Sequence, residues 1–343
     1  MDDGSVIVIK ASDVQHLLKG RELELIEIVR KAYEAHSLGE TSLPHSTFLH
    51  FPDDERSRII ALPAYLGNGF KVAGVKWVSS FPGNLDKGLD RASAVIILNS
   101  TFTGRPEAIL EGSLISAKRT AASAALAAQC LHGDNEIHSV GIVGCSLMNF
   151  EVARFLLAAK PEIRTFVIFD IDDARVTLFK KKCQQTFKEV GVDVAKDLKT
   201  LLGRSLLISI ATTSIKPHIF DLSDCSSRSV ILHISLRDLS PEVILSYDNI
   251  VDDVDHVCRA QTSIHLAAEL IGHREFIRCT LADVLLKTAP ARDAKDRIAI
   301  FSPFGLGILD LAVAKYVREL CAEGVERTCG QTIDSFLPDS WAG

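Results

Sequence analysis

Between residues 138 and 254, short runs of β-branched and apolar residues alternate with segments of helical length, and few folds accept that alternation. Five runs, at 139–143, 165–169, 206–211, 230–235 and 250–251, are apolar almost without interruption. Strands covered by helices on both faces have this composition. Helical segments at 149–159 and 174–189 follow the first and second runs, and Lys180-Lys181-Lys182 in the latter reads as a solvated face. The pattern predicts an α/β fold whose core is a Rossmann-type, doubly wound parallel sheet.

The preceding part of the chain has a different rhythm. A helix over 22–38 precedes strands at 58–65, 71–78, 93–99 and 107–110, which together read as an α+β unit. The Ala-rich stretch 113–131 predicts a helix closed by His132 and a glycine cap at Gly133. A last helix, 305–323, comes too late for the sheet and is expected to return to the first unit, since clefts between domains are where small ligands are usually held. The expected division is a substrate-binding unit of 1–133 with 300–343, and a nucleotide-binding unit of 134–299.

Composition narrows the function. The 343 residues carry 38 Lys+Arg against 44 Asp+Glu, a net charge of -6, without the basic stripe that binds nucleic acid. The longest uncharged stretches, 120–133 and 137–150, reach about two-thirds of the ~20 residues that a membrane crossing needs. Met1-Asp2-Asp3 and a short apolar run at 6–9 lack the basic start and long apolar core of a secretory signal, so a cytoplasmic protein is expected. Eight scattered cysteines read as small buried hydrophobes, and no metal is expected. An inert packing role is expected for Cys145 too.

The first run of the sheet leads into Gly144-Cys145-Ser146-Leu147-Met148-Asn149 and a helix, where a dinucleotide fingerprint belongs. Ser146 and Asn149 occupy the places of the second and third glycines. A serine there is small enough to sit beside a phosphate and donate to it, and the helix N-terminus still favours the anion. Asp170 ends the second run at the distance of a carboxylate that accepts from ribose hydroxyls. With Asp172 and Asp173 beside it, a 2′-phosphate would be repelled, so NAD is favoured over NADP. Thr212 and Thr213, at the end of the third run, are candidates to line the cofactor; a plain polar turn is the alternative reading.

Three charged residues stand out. Lys76 lies in the apolar run Val72 to Val78, where an ammonium is expensive without a partner or a lowered pKa. Arg119 sits among small residues, Thr120-Ala121-Ala122, and offers a two-pronged carboxylate clamp, although a surface ion pair explains either Lys118 or Arg119 equally well. Asp238 follows the fourth run at the edge that carries the nucleotide motif, either as a helix cap or facing the substrate nitrogen.

These segments resemble the ornithine cyclodeaminase/mu-crystallin family over nearly the whole chain. The resemblance rests on Gly74-Val75-Lys76-Trp77, Ala94 to Asn99 with Thr103-Gly104, Arg119-Thr120-Ala121-Ala122, Gly141-Ile142-Val143-Gly144, Ala211-Thr212-Thr213-Ser214 and Gly305 to Asp310. Stretches 76–84, 91–99 and 58–63 are most similar to the branch of N-(2-amino-2-carboxyethyl)-L-glutamate dehydrogenases. The resemblance implies NAD-dependent oxidation of a secondary amine, then hydrolysis of the imine to L-2,3-diaminopropionate and 2-oxoglutarate. It also implies a homodimer through the first unit, a small amino-acid substrate, and places for the cofactor at Gly144, Ser146, Leu147, Asn149, Asp170, Thr212, Thr213, Ser235 and Gly305. Under it Arg119 holds a substrate carboxylate, Lys76 holds a carboxylate or shuttles a proton, and Asp238 takes the amine proton and activates water.

Two departures are visible. Ser146 replaces a common glycine, and His50 stands where relatives tend to carry an arginine clamp. The alternatives within the family are ornithine cyclodeaminase, alanine dehydrogenase and ketimine reductase. Outside catalysis, a crystallin-like nucleotide-binding protein is the remaining reading.

Overall fold

The computed structural model describes residues 5–132, 137–293, 295, 297–323 and 329–333. These form two compact units, one of residues 1–119 with 306–343 and one of residues 120–305. The expected glycine cap at Gly133 lies outside the described residues.

The first unit is built on β1 (Val6–Ile9), β2 (Thr41–Ser42), β3 (Thr47–Phe51), β4 (Asp54–Leu66), β5 (Val72–Ser80), β6 (Ala92–Asn99) and β7 (Pro106–Glu111). The second unit carries β8 (Ser139–Val143), β9 (Thr165–Phe169), β10 (Gly191–Val194), β11 (Leu207–Ile210), β12 (Val230–His233), β13 (Asp248–Val251), β14 (Ile277–Thr280) and β15 (Ala299–Ser302). A final strand, β16 (Gln331–Ile333), pairs with β1 in the first sheet.

The first sheet runs β16-β1-β7-β6-β5-β4-β2, with β3 beside β4, and is mostly antiparallel. The long Gly307–Ala322 helix packs on β4, β5 and β6 through a nearly continuous apolar surface. Residues facing that helix alternate along the strands with an opposite face on which Leu49, Tyr65 and Trp77 are exposed.

The second sheet is parallel, ordered β10-β9-β8-β11-β12-β15-β13-β14. It is the doubly wound sheet expected from the apolar runs, with the chain reversing its winding between β8 and β11. Three of its strands escape sequence reading. β10 and β14 are edge strands with one buried side chain each, Val192 and Cys279. β15 is fully buried but only four residues long, and it enters between β12 and β13 from far along the chain.

Candidate functional site

The nucleotide end of the second unit lies where the winding reverses, the place at which open α/β sheets hold ligands. Gly144 leaves β8 at φ +93°, and a Cβ there would stand 2.5 Å from the Ala211 carbonyl oxygen. Glycine is therefore required both by the left-handed backbone and by the closeness of β11. The Leu147–Ala159 helix starts directly after this turn, with Ser146 as its N-cap. The Ser146 hydroxyl accepts from the Asn149 N–H at 3.3 Å and donates to the Ala211 carbonyl at 3.2 Å. A free phosphate donor was expected there, but the hydroxyl is occupied in the fold. Leu147, more than half exposed, covers the first turn.

The Asn149 side chain serves the turn itself. It is fully buried, donates to the carbonyls of Val143 (2.8 Å) and Gly144 (2.7 Å), and accepts from Ser209 at 2.7 Å. It fixes the glycine turn from behind. Asp170, at the end of β9, accepts from the Cys145 N–H at 2.7 Å and the Asp172 N–H at 3.1 Å, one bond on each oxygen. A carboxylate has about four acceptor positions, so half remain for ribose hydroxyls. The helix that follows is capped by Asp172. The Cys145 thiol is pushed up to about 12, first by burial and then by Asp170, which keeps it protonated and unreactive.

At the same carboxyl edge, Asp238 is fully buried. Its carboxylate accepts from the Thr212 and Ser235 hydroxyls, and His233 Nε2 lies 3.3 Å from Oδ2. Burial alone would raise this carboxyl, but the bonds from His233, Ser235 and Thr212 outweigh it and hold the group at about 2. As placed, Asp238 is a strong acceptor of hydrogen bonds and a weak base. The turn that delivers it is strained: Leu236 adopts φ 70°, a region branched side chains rarely enter. The helix cap nearby is Ser240, not Asp238. Thr213 is exposed beside Thr212. Gly305 has its N–H bound by Asp252 at 2.7 Å.

In the first unit, Lys76 on β5 and Arg119 on the Ser113–His132 helix converge on one carboxylate. Lys76 Nζ is 2.7 Å from Asp310 Oδ2, and Arg119 Nε is 3.0 Å from Asp310 Oδ1. The Ser116 hydroxyl accepts from Lys76 at 3.1 Å and from Arg119 at 3.4 Å. All three charged groups are buried, Lys76 at 3%, Arg119 at 7% and Asp310 at 0% exposure. Neither Lys118 nor Arg119 is a surface residue: both are buried, and the ion pair of Arg119 with Asp310 is an interior one. Burial lowers Lys76 to about 8 against the pull of Asp310, and Arg119 lowers it further. Two cations share one anion, so the buried trio carries a net positive charge.

His50 does not join this cluster. It is exposed on β3 opposite Arg58, which in turn pairs with Ser80, four residues along β5 from Lys76. Sequence reasoning missed Asp310 and His233 as site residues. Both carried a signal, since each is an ionisable group inside an apolar run, Ile308 to Val313 and Val230 to Ile234.

A dinucleotide-type parallel sheet, joined in one chain to an α+β unit with buried carboxylate-binding cations, defines a class of two-unit α/β oxidoreductases. The model of the ornithine cyclodeaminase/mu-crystallin family matches residues 6–324, and the chain belongs to that family. It is 25% identical over 338 residues to the N-((2S)-2-amino-2-carboxyethyl)-L-glutamate dehydrogenase of Staphylococcus aureus, covering 96% of this chain and 99% of that one. It is 27% identical over 323 residues to the alanine dehydrogenase of Archaeoglobus fulgidus, covering 91% and 94%. Among solved structures, an archaeal alanine dehydrogenase dimer with bound NAD superposes with TM-score 0.85 at 27% identity, over 97% of this chain and 100% of that one. The Thermococcus litoralis Delta(1)-pyrroline-2-carboxylate reductase, solved with NADH and L-proline, shares the fold at TM-score 0.88 and 23% identity, covering 96% and 100%. Among the described residues no helix is long and apolar enough to cross a membrane.

Proposed function

We propose that this protein oxidises the secondary amine of N-(2-amino-2-carboxyethyl)-L-glutamate with NAD and hydrolyses the resulting imine to L-2,3-diaminopropionate and 2-oxoglutarate. The coarser reading, an NAD-dependent oxidoreductase acting on amino acids or imines, is the class its relatives share. The observation that carries the proposal is the Lys76–Asp310–Arg119 cluster, whose unbalanced positive charge calls for an anionic substrate group.

The residues present fit the cofactor. The Gly144 turn brings backbone and helix N-terminus together without a side chain in the way, and Asp170 keeps acceptor positions for ribose hydroxyls. Held at the Gly144 turn and Asp170, NAD would supply the hydride acceptor that the oxidation needs. Arg119 binds a substrate carboxylate and fixes the reacting carbon. Lys76, near 8, exists in both protonation states around neutral pH and is suited to receive the amine proton. Asp238, with Thr212 and Ser235, is suited to accept hydrogen bonds from the substrate nitrogen and from the water that attacks the imine carbon. After attack, the C–N bond breaks and the proton on oxygen moves to the leaving amine.

The exposed Leu49, Tyr65 and Trp77 lie on the face of the first sheet turned away from Lys76. An apolar sheet face of this kind supports a homodimer through the first unit. The direct test follows NADH at 340 nm and assays 2-oxoglutarate, with ornithine and alanine as parallel substrates. NADH and 2-oxoglutarate in equal amounts support the reading, whereas NADH formed from alanine alone assigns the protein to alanine dehydrogenation.

A further inference from the structure

The two oxygens of Asp238 face different surroundings. Oδ2 takes the Ser235 hydroxyl and lies 3.3 Å from Nε2 of His233, whereas Oδ1 takes the Thr212 hydroxyl and stands 3.9 Å from Nε2 of His218. Asp238 has no exposed surface, and neither has His233. Thr212 and Ser235 are partly buried, and their hydroxyls do not change charge. Among the described side chains bonded to or paired with this carboxylate, His218 is the one that titrates and is also open to water, with 42% of its side chain exposed.

Backbone bonds hold the ring at this place. The N–H groups of His218 and Ile219 both donate to the Asp238 carbonyl at 2.9 Å, and Pro217 fixes φ one residue earlier. At the other end of the same segment, 212–219, Thr212 bonds the carboxylate directly. The backbone of His218 is thereby tied to the residue its ring faces. Rotation of the half-exposed side chain closes the gap of about 1 Å between the present separation and a hydrogen bond. Facing the ring are the Asp238 carboxylate and, beyond it, His233; Lys216, on the same segment, is exposed.

Amine oxidation makes such a group necessary. A protonated secondary amine, NAD and water give a ketone, an ammonium, NADH and one free proton, and a primary amine such as alanine releases the same number. A buried carboxylate held at about 2 passes a proton on without keeping it near neutral pH, whereas an imidazole takes up and gives up a proton between about pH 5 and 8. We propose that His218 is the proton-exchange residue of this site: the proton that leaves the substrate side for Asp238 Oδ1 moves to His218 Nε2, and water takes it from there. His218 acts through Asp238, so its removal slows proton transfer and leaves substrate binding intact. The inference rests on the oxidation of an amine by NAD, as proposed above, and not on which amine is oxidised.

The test compares the parent with His218→Gln in the oxidation of N-(2-amino-2-carboxyethyl)-L-glutamate and of alanine by NAD, with imidazole added at increasing concentration. The expected result is a kcat lower by about tenfold or more in the variant, a KM within about threefold, and recovery of most of the lost kcat by imidazole, which carries the missing proton from solution. The parent should not respond to imidazole, and the two proteins should share one Tm because the ring is half exposed. A variant with the parent's kcat, or a loss that imidazole does not restore, overturns the assignment. A second measurement needs no turnover. Diethyl pyrocarbonate should modify His218 in the NADH-loaded protein, and 2-oxoglutarate or pyruvate should slow that modification by about threefold or more, because a ligand beside Asp238 narrows the approach for a reagent larger than water. Modification at an unchanged rate with both acids overturns the placement. The two proposals fail separately. Alanine oxidised with imidazole-dependent recovery, while the glutamate derivative is left untouched, removes the reaction proposed above and keeps His218. The glutamate derivative oxidised at the parent's rate by the variant keeps the reaction and removes His218.

Discussion

The Lys76 ammonium meets the Asp310 carboxylate at 2.7 Å with both groups buried, and Arg119 takes the other oxygen of the same carboxylate. One acid holds two cations in fixed positions. The arrangement is held in place, because breaking either contact would strip a buried charge of an ionic partner.

A pH dependence follows from Lys76. Burial places it near 8, below its ordinary 10.5. Raising the pH through 8 therefore discharges the folded protein's lysine while the unfolded chain keeps its proton until about 10.5. The group's penalty on folding is thus full below 8 and is relieved progressively between 8 and about 10.5. Substrate binding goes the other way, since a neutral Lys76 attracts a carboxylate less. KM measured from about pH 7 to pH 9.5 should rise above 8 in the parent and stay flat over that range in Lys76→Met.

Removing the shared carboxylate should be severe. Asp310→Asn leaves two buried cations facing each other, and a loss of about 3–5 kcal/mol of stability is expected from urea unfolding. Adding Lys76→Met to Asp310→Asn should recover a substantial part of it. A loss under about 1 kcal/mol would mean that the cluster relaxes into water.

Gly144→Ala tests the nucleotide turn. Its Cβ would press on the Ala211 carbonyl at 2.5 Å while the backbone sits at φ +93°. NAD affinity, measured by titration of the protein's fluorescence, should fall by more than about tenfold, with a stability loss of about 1–3 kcal/mol.

Asp170→Ser tests the choice of dinucleotide. With the carboxylate gone, ribose hydroxyls lose their charged acceptor and a 2′-phosphate loses its repulsion. kcat/KM for NAD should fall by about tenfold or more, and the preference over NADP should narrow at least as much. An unchanged preference would place the discrimination elsewhere.

Much of this arrangement was legible in the residues. The apolar runs that became β8, β9, β11, β12 and β13 identified the doubly wound sheet because strands buried on both faces tolerate almost nothing else. Lys76 was conspicuous for the same reason, as a charge where none is cheap. What escaped was information carried by distant pairings. β15 is four residues long and takes its place between β12 and β13 only through the parallel sheet. Asp310 is 234 positions from Lys76, so its role as counter-ion appears only when the Gly307–Ala322 helix lies on β5. Asn149 read as a poor glycine because a motif records the cofactor's needs and not those of the turn, which the amide satisfies by binding two carbonyls. Asp238 was correctly placed at the sheet edge, but its basicity depends on Thr212, Ser235 and His233, which a linear reading does not bring together.

The most direct test of the central claim is a single reaction mixture of protein, NAD and N-(2-amino-2-carboxyethyl)-L-glutamate, with NADH and 2-oxoglutarate quantified over time. Equal amounts of the two, formed together and abolished in Arg119→Met, are the predicted result. Proline and ammonia released from ornithine without net NADH, with no product from the glutamate derivative, would contradict it and make the protein a cyclodeaminase.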